Sequence, residues 1–362
     1  MKRLTILSII ILICHYSYSQ GCVAIRSNGG TCTMLPYQPF DQKQKASTWS
    51  IGINNRYFRS FRHFVGTAEQ KQRVEQGTQV INKVFATEFR ATHDFNTRYS
   101  LSFYTPVIAN MRSSLYEHDG KTRRSTHSFG LGDTRLAGYY WLIDPAKQLK
   151  GNVQLGLGIK FPTGDYKYQD YFYKNDSIKV LGPVDQSIQL GDGGTGITAE
   201  VNSYYYISKH TSIYLNGFYL SNPREQNGVS TSRGSLPSAS AILYGSDVMS
   251  VPDQYMIRAG ASFGGRELTL TAGLRMECVP VHDLIGGSNG FRRPGYVLSV
   301  EPVAEYKTAF GAFYISVPYA IQRNRTQSVP DKIRTEKTGV YAQGDAAFAD
   351  YSINFGASFA LK

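Results

Sequence analysis

Residues 350–361 read DYSINFGASFAL, and an apolar side chain occupies every second position from Tyr351 to Leu361. A period of two is typical of a β-strand with one apolar and one polar face, because successive side chains of a strand point to opposite sides of the sheet. The same pattern recurs in NVQLGLGIK at 152–160 and in ELTLTAGLRME at 267–277. These stretches predict a protein built from β-strands.

The alternating pattern predicts twelve strands along the chain, most of them ten to fifteen residues long. Strands of water-soluble sheets usually have about five or six residues, whereas a tilted strand that crosses a bilayer needs about 9–11. Strand length therefore favours a membrane-spanning barrel. The segments are 47–58, 80–92, 98–110, 128–142, 151–161, 195–207, 212–220, 253–264, 267–278, 296–306, 311–322 and 346–361.

The connections alternate between five short turns and six long loops, which requires an even number of strands and places both ends of the barrel on one side. Outer-membrane barrels have short periplasmic turns and longer extracellular loops, and barrel closure satisfies every backbone hydrogen bond within lipid. The sequence thus predicts an all-β fold, a transmembrane antiparallel β-barrel of about 12 strands. Ten or fourteen strands remain alternatives, because loops 162–194 and 221–252 could each contain a hairpin.

The N-terminal residues predict export. Lys2 and Arg3 precede an apolar run and a small-residue stretch, so residues 1–19 have the organisation of a signal peptide. Residues 20–46 would then form an N-terminal periplasmic segment, either a plug or a tail, before the barrel at 47–362. Within that segment, Cys22 and Cys32 bracket a short loop and are the disulfide candidates. Lipidation of Cys22 is the alternative.

Composition and charge limit the partners. Charged residues make up 18% of the chain and hydrophobic residues 41%, which excludes a disordered chain. The formal net charge is +12, but an exported protein rarely meets nucleic acid. Basic loop residues are therefore expected to pair with lipopolysaccharide phosphates or to attract anionic solutes, unless they are simply solvated. These residues are Arg59, Arg62, Lys71, Arg73, Arg123, Arg124, Arg292, Arg293, Arg323, Arg325, Lys332 and Arg334.

Strand phase predicts which charged residues line the lumen. If the apolar alternates face lipid, the remaining positions face inward and carry both signs of charge in near balance. A polar pore lining would set ion or solute selectivity, whereas a salt-bridged plug of side chains would keep a narrow barrel closed. The candidates are Glu88, Arg90, Asp133, Arg135, Lys160, Glu200, Arg258, Arg275, Glu277, Glu301 and Asp350.

Sites for catalysis and for cofactors are not evident. The histidines are scattered, without metal-ligand spacing, so we predict no metal and no cofactor. An outer-membrane hydrolase is the rival class, and its best match is Ser288-Asn289-Gly290 with His282 six residues before the serine. In outer-membrane phospholipase A the histidine precedes Ser-Asn-Gly by two residues. The sequence therefore predicts that the protein is not an enzyme.

Three short motifs resemble a known family. Gly130-Leu131-Gly132-Asp133, Lys160-Phe161-Pro162-Thr163-Gly164-Asp165 and Gly191-Asp192-Gly193-Gly194-Thr195-Gly196 occur in this order within residues 129–198. The arrangement resembles the meta-pathway phenol-degradation outer-membrane proteins, which are grouped with channels for hydrophobic or aromatic compounds. The end of the signal peptide, Tyr18-Ser19-Gln20, is similar to those of Bacteroidota. The resemblance implies a Gram-negative outer-membrane barrel and a transport role.

The expected function is passive passage of a small hydrophobic or aromatic solute through a charge-lined lumen. A closed structural or adhesive barrel that acts through its loops is the first alternative, and the hydrolase is the second. Replacing Arg275 with Glu is expected to alter ion selectivity and to leave folding largely intact. The oligomeric state is left open by the sequence.

Overall fold

The computed structural model describes residues 48–147, 150–265 and 267–361. The strands, in chain order, are β1 (Thr48–Val65), β2 (Ala68–Glu69), β3 (Ile81–Asp94), β4 (Tyr99–Ser114), β5 (Arg124–Leu131), β6 (Thr134–Trp141), β7 (Gly151–Phe161), β8 (Gln169–Tyr173), β9 (Lys179–Pro183), β10 (Gly196–Tyr206), β11 (Thr211–Ser221), β12 (Gln226–Ser230), β13 (Val248–Ser250), β14 (Gln254–Gly264), β15 (Leu268–Val279), β16 (Gly295–Lys307), β17 (Ala312–Ser316), β18 (Tyr319–Arg325) and β19 (Ala346–Leu361). The α-helices are α1 (Gln72–Glu75), α2 (Ala239–Tyr244) and α3 (Val329–Thr338).

The long strands form one closed antiparallel barrel. Each pairs with the next along the chain, and β1 pairs with β19 from Trp49↔Leu361 to Phe64↔Ala346. The segments β5 and β6 act as one interrupted strand, as do β17 and β18, so the barrel has twelve strands. The predicted count is confirmed. No helix among the described residues has the length and apolarity needed to span a membrane.

Both interruptions lie opposite a proline of the neighbouring strand. The Gly132 N–H donates to the Pro106 carbonyl at the first, and the Val317 N–H donates to the Pro302 carbonyl at the second. A proline has no N–H to return to its partner strand, so the ladder loses a bond at that point. The sequence had predicted 128–142 and 311–322 as unbroken strands, and both are divided.

The apolar side chains lie on the outside of the barrel and the polar side chains lie inside, which is the reverse of a water-soluble barrel. Along β7, Leu155, Leu157 and Ile159 are 42%, 67% and 47% exposed, whereas the polar side chains of the opposite face are buried; these are Asn152, Gln154 and Lys160. Aromatic rings gather at the end of the barrel that carries the short turns. Trp49 lies against His93, and Tyr99 lies against Tyr140, each pair with ring centroids 4.6 Å apart. The outer wall is therefore apolar with an aromatic rim, as a bilayer requires.

The loop end carries its own secondary structure. The hairpin of β8 and β9 lies within residues 162–195, and the hairpin of β12 and β13 lies within 222–253. Each forms a separate two-stranded sheet outside the barrel. The two long loops thus contain the hairpins considered from the sequence, but these hairpins do not raise the number of barrel strands.

Candidate functional site

The inward faces of the strands carry a belt of ion pairs across the lumen. Arg258 donates to Glu301 at 2.6 Å, and Arg275 bridges Glu301 at 3.4 Å and Glu277 at 2.8 Å. Glu277 also accepts from Arg56 at 2.9 Å, although their strands, β15 and β1, are not neighbours. Ser316 donates a further hydrogen bond of 2.6 Å to Glu301. We call Arg56, Arg258, Arg275, Glu277 and Glu301 the charge belt.

A second polar cluster lies on the opposite wall. Arg135 forms an ion pair with Glu200, and its guanidinium lies 4.0 Å from the centroid of the Tyr104 ring. The Tyr139 hydroxyl donates to Glu200 at 2.9 Å and is itself hydrogen-bonded to the Tyr104 hydroxyl at 2.8 Å. Stacking and pairing together hold the Arg135 side chain in one position.

These contacts place paired charges inside the lumen at the level of the charge belt. Arg275 is 1% exposed and Glu301 is 0% exposed, so both side chains are removed from solvent. Buried charges of opposite sign are tolerated only when they are paired and hydrogen-bonded. Of the two interpretations of the inward charges, the geometry of this state favours the salt-bridged plug.

The structure brings some of the predicted lumen residues together inside the barrel and places others elsewhere. Glu88 and Arg90 of β3 are also buried inside the barrel. Asp350 lies apart from the others, at the wall, where it accepts from Arg62 and Arg323 at 2.7 Å each. Arg56 was absent from the predicted set, although it shares the inward phase of Asn54 and Phe58 in β1. Cys22, Cys32, the signal peptide and the 20–46 segment lie outside the described residues.

The three resemblance motifs meet at one place in the fold. Lys160 of β7 donates to Asp133 at 3.3 Å and also to Asp192. The two oxygens of Asp133 accept from the Gly164 N–H at 3.0 Å and the Asp192 N–H at 3.2 Å. We call Asp133, Lys160, Gly164, Gly191 and Asp192 the loop anchor, because these contacts fasten loop 162–195 to the break between β5 and β6.

The anchored loop folds inward over the mouth of the barrel. The Ile188 carbonyl accepts from Asn110 and Ser128, which face the lumen, and Leu190 packs against Ala86 and Ile108. Ile188 and Leu190 are fully buried as a result. The motifs therefore have a structural role that their sequence alone did not reveal.

Close backbone contact makes Gly191 a critical residue of the anchor. A Cβ at this position would lie 2.6 Å from Asp133 Oδ1 and 2.6 Å from the Gly164 carbonyl oxygen. Overpacking of this kind costs about 1–3 kcal/mol, so Gly191→Ala should speed tryptic cleavage of loop 162–195 roughly tenfold or more. Gly217→Ala is the matched control, since a Cβ there meets nothing within 4 Å. Equal cleavage rates in the two variants would contradict the anchor.

Above the anchor, arginines from separate elements converge on Asp185. Arg293 contacts both carboxylate oxygens at 2.8 and 2.7 Å, and Arg112 and Arg233 lie 3.5 and 3.8 Å away. Burial alone would raise the pKa of Asp185, but these guanidiniums hold it well below the usual range. A depressed carboxyl pKa contributes stability above the unfolded pKa, and that stability is lost only as the pH falls through the folded pKa. The loop assembly should therefore keep this cluster ionised at any ordinary pH.

A cavity of about 60 Å³ lies between the inward loop and the charge belt. Ser187 of the loop borders one end, and Arg56 and Glu277 border the other. The side wall is largely apolar and is formed by Phe58, Val84, Val297, Pro318, Ala320, Ala347 and Phe348. A protein cavity that binds benzene has a volume of about 150 Å³, so this cavity must widen before it can hold an aromatic ring.

The barrel wall beside this cavity is incompletely paired. β18 pairs with β19 only at Tyr319↔Tyr351, although β18 continues to Arg325. At its far end β18 pairs with the segment that follows β1, where Arg325 exchanges backbone hydrogen bonds of 2.7 and 2.8 Å with Gly66. Between these points the Arg323 side chain crosses, donating to the Ala349 carbonyl at 3.1 Å and to Asp350 at 2.7 Å. We call this gap between β18 and β19 the seam.

The residues proposed for a hydrolase do not form a catalytic pair. The Ser288 hydroxyl oxygen accepts from the Asp283 N–H at 2.9 Å, whereas the His282 ring lies 3.4 Å from the Lys332 ammonium. Burial first, and then Lys332 and Arg292, lower the pKa of His282. In the part of the chain that the structure describes, no hydrogen bond joins His282 to Ser288, so the predicted base and nucleophile are not paired. Among the described residues, no group of three or more His, Cys, Asp and Glu is placed to hold a metal ion.

Three solved structures resemble this fold. The COG4313 outer membrane channel from Pseudomonas putida F1 matches with a TM-score of 0.57 and 10% identity, over 88% of this chain and 97% of that chain. The CymD monoaromatic hydrocarbon channel gives a TM-score of 0.43 and 11% identity over 92% of both chains. The translocator domain of autotransporter NalP from Neisseria meningitidis gives 0.44 and 10%, over 88% and 90%.

The chain is an outer-membrane β-barrel. The first similarity extends over nearly the whole of both chains, and the closed twelve-stranded architecture agrees with it. No protein-family model matches the sequence, and no curated protein is detectably similar to it. The resemblance to the phenol-degradation proteins is thus supported only as a broader likeness in structure to outer-membrane channels.

Proposed function

We propose that this barrel is an outer-membrane channel for small apolar or aromatic solutes, which enter or leave the lumen through the seam. One observation carries the proposal: an apolar-walled cavity adjoins a barrel edge, between β18 and β19, that lacks a continuous ladder. Unpaired edges separate without loss of backbone hydrogen bonds, so the wall can widen here at little cost. The sealed charge belt below does not offer a ready path for ions.

The fold similarity supports this proposal without specifying the solute. The COG4313 protein is described as an outer membrane channel. The solute class assigned here follows from the cavity wall, because apolar side chains bind apolar solutes by removing their surface from water. The closed structural barrel is the alternative outcome of the experiment below.

The Arg323 side chain joins β18 to β19 across the seam, so Arg323→Ala should speed solute entry. Loss of charge-assisted hydrogen bonds of about 1.5–3 kcal/mol should raise the rate of uptake of 1-N-phenylnaphthylamine, an apolar fluorescent dye, roughly tenfold in cells that express the chain. The control is Arg334→Ala, which removes the same charge from the exposed face of α3. Nitrocefin entry, measured in parallel, reports leakage of a polar solute.

Three results would overturn the proposal. The first is dye uptake in Arg323→Ala no faster than in Arg334→Ala. The second is an equal increase in dye and nitrocefin entry, since a general leak would show that the variant damages the barrel. No dye uptake by any form, from protein shown to be folded, would point to the closed structural barrel.

A further inference from the structure

The outer wall of the barrel has an open groove of about 760 Å³ beside the seam. Tyr57, Phe61, Met111 and Tyr351 supply apolar walls, and Arg59 and Lys83 supply two positive charges. Arg59 alternates along β1 with the buried Phe58 and Ser60, so its side chain points away from the lumen. β1 continues to Val65, and Arg59 is consequently a strand residue and not the loop residue that the sequence predicted.

Strand register fixes the depth of this groove in the membrane. Trp49 pairs with His93 at the aromatic rim, and Arg59 pairs with Lys83 ten residues farther along β1. About 9–11 residues of a tilted strand cross the hydrocarbon core. Arg59 and Lys83 therefore lie at the opposite interface, on the side of the long loops, which is the outer leaflet.

The two cations face each other without a neutralising carboxylate. Both side chains are exposed, and neither forms an ion pair with any residue in the described part of the chain. The Arg59 guanidinium lies 4.5 Å from the Phe61 ring centroid, which holds it over the groove. Asp350 borders the groove, but Arg62 and Arg323 already share its carboxylate. Like charges at directly opposed positions of two strands destabilise the pair, and a bound anion would relieve this repulsion.

We propose that this groove binds a phosphorylated glycolipid of the outer leaflet, with one phosphate between Arg59 and Lys83. Arginine and lysine are the side chains that bind phosphate most strongly. The apolar walls beneath them, at the edge of the hydrocarbon, fit acyl chains and would not favour a free anion. The inference is independent of solute transport, because it concerns the outer wall and not the lumen.

Native mass spectrometry of the full chain in detergent micelles tests the site, with bis-phosphorylated lipid A as the probe. The Arg59→Gln/Lys83→Gln variant should bind lipid A roughly thirtyfold more weakly than the wild type. The matched control, Arg334→Gln/Lys337→Gln, removes two positive charges from the exposed face of α3 and should bind normally. A lipid A analogue without phosphates should bind the wild type as weakly as lipid A binds the groove variant.

A thermal measurement separates lost binding from lost folding. Without lipid, the groove variant should unfold at the same temperature as the wild type or at a higher one, because it lacks the opposed charges. Addition of lipid A should raise the unfolding temperature of the wild type and of the control, but not that of the groove variant. The proposal is overturned if the groove variant and the control bind lipid A equally. Full displacement by inorganic phosphate, or equal binding of phosphatidylglycerol, would likewise exclude a glycolipid site.

Discussion

Replacing Ala320 with Trp should reduce uptake of the apolar dye roughly tenfold or more. Ala320 is 5% exposed and lines the cavity at the seam. An indole group is larger than the cavity of about 60 Å³, so it would fill the cavity and oppose the widening that a solute needs. Each 1.4 kcal/mol added to the barrier lowers the rate about tenfold. Dye uptake by expressing cells, corrected for the amount of folded barrel, provides the measurement.

The control for this variant is Ala304→Trp, which adds the same group to the outer face of β16. Overpacking at Ala320 costs about 1–3 kcal/mol, which a barrel of this size should tolerate. Dye uptake by Ala320→Trp at the rate of Ala304→Trp would show that the solute does not use the cavity.

Replacing Glu301 with Ala should have the largest effect on stability. Glu301 is fully buried and accepts from Arg258, Arg275 and Ser316. Removal of one partner from a buried ionic cluster costs about 3–5 kcal/mol, because the remaining charges lose their compensation. We expect a lower unfolding temperature, together with a new ionic conductance that favours anions, since two arginines would then face an enlarged lumen.

Glu336→Ala, on the exposed face of α3, is the control for loss of one negative charge. The unfolding temperature and the planar-bilayer conductance are measured on the same preparations. If Glu301→Ala matched this control in both, the charge belt would be neither a structural support nor a barrier to ions.

The strand pattern was predictable because the pleat of a strand and the two environments of a barrel wall impose it directly. The limits of β1 were not predictable from this pattern. The register shifts between Phe58 and Ser60 and again between Ser60 and Arg62, so the alternation ends before the strand does. For this reason the sequence pattern predicts Arg59 and Arg62 as loop residues and gives no sign of the groove on the outer wall.

Strand phase gives an expectation of which charges point inward, but it carries no information on how they pair. Arg56 and Glu277 come from non-neighbouring strands, and their meeting depends on the closed shape of the barrel. The sequence alone predicts that Arg275→Glu alters ion selectivity and leaves folding largely intact. In the structure this change would place a third carboxylate beside Glu277 and Glu301, so folding should be impaired as well as selectivity. Similarly, the division between β17 and β18 lies opposite Pro302, and the position of that proline against its partner strand depends on register.

The measurement that tests the central claim most directly compares two fluxes through the wild-type chain in one preparation. Folded protein is divided between liposomes, for uptake of the apolar dye, and a planar bilayer, for single-channel conductance. The account predicts dye uptake faster than in protein-free liposomes, with no steady ionic conductance, because the charge belt is sealed while the seam can open. Steady conductance without accelerated dye uptake would contradict it and would identify the barrel as an axial pore for polar solutes.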